Sequence, residues 1–231
     1  MDLKTFKKRL KEIRNQGYIR TLRAGNTGVG HTLEQLLNLR ENNIATPDLG
    51  GKIELKVQRK SATNRITLFT KSPHWLVSPS KIISTYGYKN GKGRWALKIT
   101  LTGKKEVSGL KLHFNQKTKA IQVINRDFKV LAFWHARELS KIFEMKLPKL
   151  IIVKAISRGL GKDEEFLYDE AYLLSGMNLN RFLGELQSET IVTEFRMHLK
   201  SEAGTIRDHG TGFRVAENKL DRIFKNKKTL I

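Results

Sequence analysis

The chain has 231 residues, enough for one domain or a domain with a subdomain. Its 44 Lys and Arg against 22 Asp and Glu give a net charge of +22, which points to a polyanionic partner, nucleic acid first. It has no cysteine, which excludes disulfides and thiolate metal sites and fits a reducing, cytoplasmic setting; no apolar run is long enough to span a bilayer, and no membrane partner is expected.

Residues 2–14 predict a helix, because Leu3, Phe6, Leu10 and Ile13 recur at spacings of three and four, with Gly17 closing it. The loop after it carries Arg20 and Arg23, which suit phosphate. In GNTGVGHTLEQLL, from Gly25, the glycines read as a tight loop. Thr32 and Gln35 have capping-box spacing for a short helix with Leu33, Leu36 and Leu37 on its apolar side, and Glu34 beside that stripe.

The stretch PDLGGKIELKV follows. Its alternation sets Lys52, Glu54 and Lys56 on one strand face and Ile53, Leu55 and Val57 on the other. Asp48 precedes the strand across Gly50 and Gly51, a pair that lets the chain bend and bring its carboxylate toward Glu54. Two carboxylates suit a Mg2+ ion that also takes water and a phosphate oxygen. A lysine on the same face can orient or deprotonate the attacking water, or stabilise charge on the phosphoryl group. The set Asp48, Glu54 and Lys56, supported by Glu34, is therefore a candidate for phosphodiester hydrolysis, with Asp48 and Glu54 as metal ligands.

RITLFT (Arg65 to Thr70) reads as a strand paired with or adjacent to the first. Residues 75–133 read as β-rich: Trp95, Leu97, Ile99 and Leu101 alternate, as do Leu110, Leu112 and Phe114, and Ile121 and Val123 return after a turn. The basic loop Tyr88 to Arg94 can clamp a duplex or be plain solvated surface. His135 to Met145 predicts a helix, KLIIVKAI a buried strand, and Leu179, Phe182, Leu183 and Leu186 a further helix. From Thr190, Ile191, Thr193, Phe195, Met197 and Leu199 face a core. Val192, Glu194, Arg196 and His198 oppose them, a mixed face suited to reading bases or to a cross-strand ion pair. The polar loop Arg207 to Arg214 follows, then a closing helix with Leu220, Ile223 and Phe224. The Lys225 to Lys228 run reads as solvated.

GNTGVGHTLEQLL, PDLGGKIELK, TLFTKSP and DHGTGFR, in that order, resemble the MutH-related MvaI/BcnI-type restriction endonucleases, particularly the MvaI type. The resemblance implies an α/β (α+β) fold of the PD-(D/E)XK nuclease superfamily, with a central mixed sheet flanked by helices and two lobes forming a DNA-binding cleft. It implies a catalytic lobe from residues 1–75 with the central strands, and a recognition lobe from about 76–135 and 186–216. It places Thr70 and Lys71 beside the DNA and makes Glu194, Arg196, Arg207, His209 and Arg214 recognition residues. The chain departs from the MvaI pattern with Glu194 in place of Asp and Arg207 in place of His, which bears on the sequence recognised. The implied activity is Mg2+-dependent, site-specific cutting of double-stranded DNA at a short CC-N-GG-like site. It leaves 5′-phosphate ends and is performed by a monomer. A MutH-like repair nickase and a non-catalytic DNA-binding protein are the alternatives.

Overall fold

In the computed structural model the described residues are 1–39, 47–177, 179–200 and 205–231. The link 40–46, inside the Gly25 to Lys56 stretch, and positions 201–204 of the Thr190 to Arg214 segment lie outside them. In chain order the elements are α1 (Leu3–Asn15), β1 (Ile19–Arg20), α2 (Gly28–Leu36), β2 (Glu54–Arg59), β3 (Ile66–Thr70), β4 (His74–Trp75), α3 (Pro79–Tyr86), β5 (Tyr88–Lys89), β6 (Trp95–Leu101) and β7 (Leu110–Asn115). They continue with β8 (Ala120–Asn125), β9 (Val130–His135), α4 (Ala136–Lys146), β10 (Lys149–Arg158), β11 (Glu165–Ser175), α5 (Leu179–Gln187), β12 (Ile191–Leu199), β13 (Ile206–Asp208), β14 (Gly212–Val215), α6 (Leu220–Ile223) and β15 (Asn226–Thr229). The chain is α+β and divides into two compact units, residues 1–64, 144–177 and 221–231 in one and 65–143 and 178–220 in the other.

The first unit is built on a mixed sheet of order β1-β11-β10-β2, with β15 also on β11; β10 and β2 run parallel and the other pairs antiparallel. One sheet face is covered by α1 and α2, whose Phe6, Leu10, Ile13, Val29, Leu33 and Leu37 pack with Leu55, Ile151, Val153, Phe166 and Tyr168. Each such side chain taken from water contributes about 1.5–3 kcal/mol. Asp2 caps α1 by accepting from the Thr5 amide at 2.7 Å. KLIIVKAI is the buried interior strand expected.

The second unit holds two antiparallel sheets. One has the order β3-β14-β12-β6-β5, with β13 also on β12; the other has β4-β9-β8-β7. Under the first lies an aromatic cluster in which Phe69 stacks on Phe213 at 4.7 Å, Phe143 on Phe182 at 5.2 Å, and Trp134 meets Phe213 edge-on at 5.6 Å.

Three sequence readings change, and a fourth gains a strand. Thr32 is not a helix cap: the ladder already runs from the Thr27 carbonyl to the His31 amide, and the fully buried Thr32 hydroxyl accepts from the Leu22 amide at 3.0 Å. Gly28 and Gly30 therefore lie inside α2. β3 pairs with β14 and not with β2, because Phe69 belongs to the aromatic cluster around Phe213. The β-rich stretch also contains α3, capped by Ser78 and begun at Pro79. The Lys225 to Lys228 run, although its side chains are exposed, contributes β15, and the Lys227 ammonium lies 4.0 Å from the Tyr172 ring centre.

Candidate active site and DNA-reading face

Between Leu49 and Ile53, which bridge each other, the chain makes a tight turn with Gly50 and Gly51 at φ of +59° and +68°. A side chain at either position would be strained there. The turn lays Asp48 back along β2, where its Oδ2 accepts from the Leu55 amide at 2.9 Å. Leu55 faces the core, so Glu54 and Lys56 emerge on the opposite face, as the alternation requires. The Lys56 ammonium is paired with Glu54 Oε1. Glu54 keeps 13% of its side chain exposed and Lys56 32%.

The electrostatics of Glu54 are those of a carboxylate held against its preference. Burial pushes its pKa up, Lys56 pulls it down, and the charge of Asp48 pushes it up again. Lys146, at the end of α4, also acts on it, a group that local pattern reading did not find. Asp48, Glu54 and Lys56 are thus brought together. Glu34, half-buried on α2, acts on another group: its charge is felt by the buried Tyr168, whose hydroxyl donates to the Val29 carbonyl at 2.9 Å and whose pKa is raised chiefly by burial. At the far end of β2, Arg59 grips Glu164 at 2.7 Å and the carbonyls of Gly25 and Asn26 at 3.0 and 3.2 Å. That tie fixes the loop before α2 to the strand that carries Glu54. Arg20 is engaged by Asp163 and the Lys162 carbonyl.

No group of three or more His, Cys, Asp or Glu side chains placed to hold a metal occurs among the described residues. Asp48 and Glu54 offer two carboxylates as candidate donors. That pair fits a hard divalent ion that leaves most of its coordination to water and phosphate, and a cation between Asp48 and Glu54 would relieve both the burial and the repulsion acting on Glu54.

In the second unit the predicted recognition residues collect on one sheet. β13 and β14 both pair with β12, at residues 197–199 and 191–194 respectively, and His209 to Thr211 loop out between them. Arg196 fills the break. Its Nε and Nη2 donate to the Gly210 carbonyl at 3.2 and 3.1 Å, and Nη2 also reaches the His209 carbonyl at 3.2 Å. Asp208 Oδ1 accepts from the Gly210 amide at 2.8 Å. Gly210 has φ of +75°, and a Cβ there would come within 3.2 Å of Thr70 Cβ. Thr70 pairs with Gly212, and the Lys71 amide donates to the Thr211 carbonyl at 2.9 Å, so both lie against the loop. Arg214 forks onto both oxygens of Glu194 at 2.8 and 2.7 Å and donates to the Arg65 carbonyl at 2.6 Å. Glu194, Arg196 and His198 share the outer face of β12, and Arg207, opposite His198, is exposed.

The sequence profile of the MvaI/BcnI restriction endonuclease family matches residues 7–224. Five chains of known structure match. Restriction endonuclease MvaI in complex with its cognate DNA substrate is similar with a TM-score of 0.84 and 24% identity, covering 100% of both chains. MvaI in the absence of DNA is similar with a TM-score of 0.57 and 22% identity, covering 100% of this chain and 99% of that one. No curated protein matches. The family implies a divalent metal cofactor and DNA as the partner. No helix among the described residues is long and apolar enough to cross a membrane. The family's profile covers nearly the whole chain, including the acidic strand end and the sheet that carries Glu194 and Arg196: the protein belongs to the MvaI/BcnI restriction endonuclease family and is a site-specific DNA endonuclease.

Proposed function

We propose that this type II enzyme hydrolyses both strands of duplex DNA with Mg2+, leaving 5′-phosphate ends, and that Asp48, Glu54 and Lys56 carry the chemistry. The observation that supports this most strongly is the hydrogen bond that the Leu55 amide donates to Asp48 Oδ2, which holds one carboxylate beside the other at the start of β2. Asp48 and Glu54 would hold the ion, which when bound polarises a phosphoryl oxygen and makes water acidic enough to attack at neutral pH. Lys56, ion-paired with Glu54, stands beside the carboxylates where it would act on the attacking water or on charge building on the phosphoryl oxygens. Glu34 supports the site from α2.

Thr70, Lys71, Glu194, Arg196, Arg207, His209 and Arg214 contact DNA. Held by Arg214, Glu194 is oriented to accept from a cytosine amino group. Arg196, with Nε and Nη2 on backbone carbonyls, offers Nη1 to a guanine. The target is a short near-palindrome of the CC-N-GG kind, in which Glu194 and Arg207 tune the sequence accepted. The enzyme acts as a monomer, in the cytoplasm.

Digesting a plasmid of known sequence with Mg2+ and sequencing the ends tests this reading. Recurrent 5′-phosphate ends at one short site are expected. Ends scattered without a shared sequence, or no cutting by a protein that still binds the plasmid, would overturn it.

A further inference from the structure

The face of β12 that carries Glu194 and Arg196 does not end with them. Two residues on, His198 faces the same way. Residues directly opposite across antiparallel strands share a face, so Tyr88, Ala96, His198 and Arg207 form one row across β5, β6, β12 and β13. The neighbouring row pairs Lys98 with Arg196. Arg94, Lys98 and Arg207 are exposed, as is Tyr88 at 44%. Ala96, between Tyr88 and His198 in this row, is fully buried, while the His198 side chain itself is half-buried. The His209 ring lies 6.2 Å from the His198 ring.

The groups around this imidazole are almost all cationic or neutral. Its own strand supplies Arg196 and, just beyond, Lys200. β6 and the turn before it supply Lys98 and Arg94, β5 supplies Tyr88, β13 supplies Arg207, and the following loop supplies His209. The acid on the same strand face, Glu194, is held by Arg214. Burial, His209, Arg207, Arg94 and Lys98 all hold the pKa of His198 below the ordinary histidine value. Like charges crowded on an open surface repel one another and gain only when an anion sits among them.

We propose that His198 is a further DNA contact of this enzyme, gripping a backbone phosphate as an imidazolium and taking up a proton as DNA binds. The inference rests on the reading of this sheet as the DNA-reading face. A phosphate in this row offsets the surrounding cations and stabilises the charged imidazole. The bound pKa then exceeds the free one, and binding tightens as pH falls.

The experiment measures affinity by fluorescence anisotropy in Ca2+ from pH 8 to pH 6, for a duplex carrying the mapped cleavage site. Proton uptake at pH 7 is measured by calorimetry in two buffers of different ionisation enthalpy. Wild type should bind up to about tenfold tighter at pH 6 than at pH 8 for each unit by which DNA raises the imidazole pKa. His198→Gln should lose most of that gain and most of the proton uptake. His198→Arg, permanently charged, should bind at pH 8 as wild type does at pH 6, a rescue that a merely structural role would not give. Equal pH profiles and equal proton uptake for wild type and His198→Gln would overturn the proposal while leaving the endonuclease reading intact. A wild type that neither binds nor cuts the duplex would defeat that reading itself.

Discussion

The two clusters of charge in this protein are organised in opposite ways. At the start of β2, carboxylates crowd together, burial disfavours the charge on Glu54, and Lys56 offsets that only in part. On the β12 sheet, Glu194 and Arg214 satisfy each other bidentately, and Arg196 is tied to two backbone carbonyls. On the proposed function, the tension at the acidic site in the free protein is what a bound cation would release. The β12 face, whose charges are already settled, would present its donors and acceptors rigidly, at low entropic cost on binding.

The contrast can be broken most sharply by Asp48→Ala. Cleavage should fall by about 10^3-fold, while DNA affinity in Ca2+ stays within about threefold, because the acidic site serves chemistry more than grip. Parallel single-turnover cleavage and gel-shift assays read the two. Near-normal cleavage would separate Asp48 from the reaction. On the other face, Arg214→Ala should cut discrimination between the cognate site and a one-base variant by about 1–3 kcal/mol, with the chemical step on the best site spared. Competition cleavage of paired oligonucleotides measures it, and an unchanged ratio removes Arg214 from readout.

Gly210→Ala is a smaller perturbation that tests the mounting of the loop. The left-handed backbone and the approach to Thr70 should cost about 1–3 kcal/mol and lower Tm by several degrees, together with discrimination. A Tm within one degree of wild type would show the loop to be less constrained than its bonds imply. The smallest effect sharpens the contrast from the side of stability. Because the pKa of Glu54 is raised on folding, the protonated form is the stable one; that stability is present at low pH and is lost as pH rises through the raised value. Glu54→Gln at neutral pH should therefore abolish cleavage yet raise Tm by about 1–3 °C, as relief of a functional strain does. A lower Tm would mean that the Lys56 ion pair outweighs burial.

Much of this was legible in the chain itself. The Asp48, Glu54 and Lys56 set could be read because a period-two strand and a glycine pair are local signals. The faces of β12 could be read for the same reason. Lys146 reaches Glu54 from a distant helix, and no local spacing announces it. β11 escaped notice because Asp169 is an extra residue at a bulge opposite Lys154 and Ala155, and it inverts the alternation midway along the strand. α3 hid behind the β-branched Ile82, Ile83 and Thr85, which read as strand until the Ser78 cap and Pro79 are weighed. The start of α2 is not legible, because its glycines read as a loop while tertiary contacts with the preceding residues decide where the helix begins.

Whether Asp48 and Glu54 share one ion is tested most directly by titrating the protein on uncut duplex with Mn2+ and counting bound ions by electron paramagnetic resonance, wild type beside Asp48→Asn. The account predicts tight binding by wild type and loss of that binding in the variant, with the DNA still held. Equal Mn2+ binding by both proteins would contradict it.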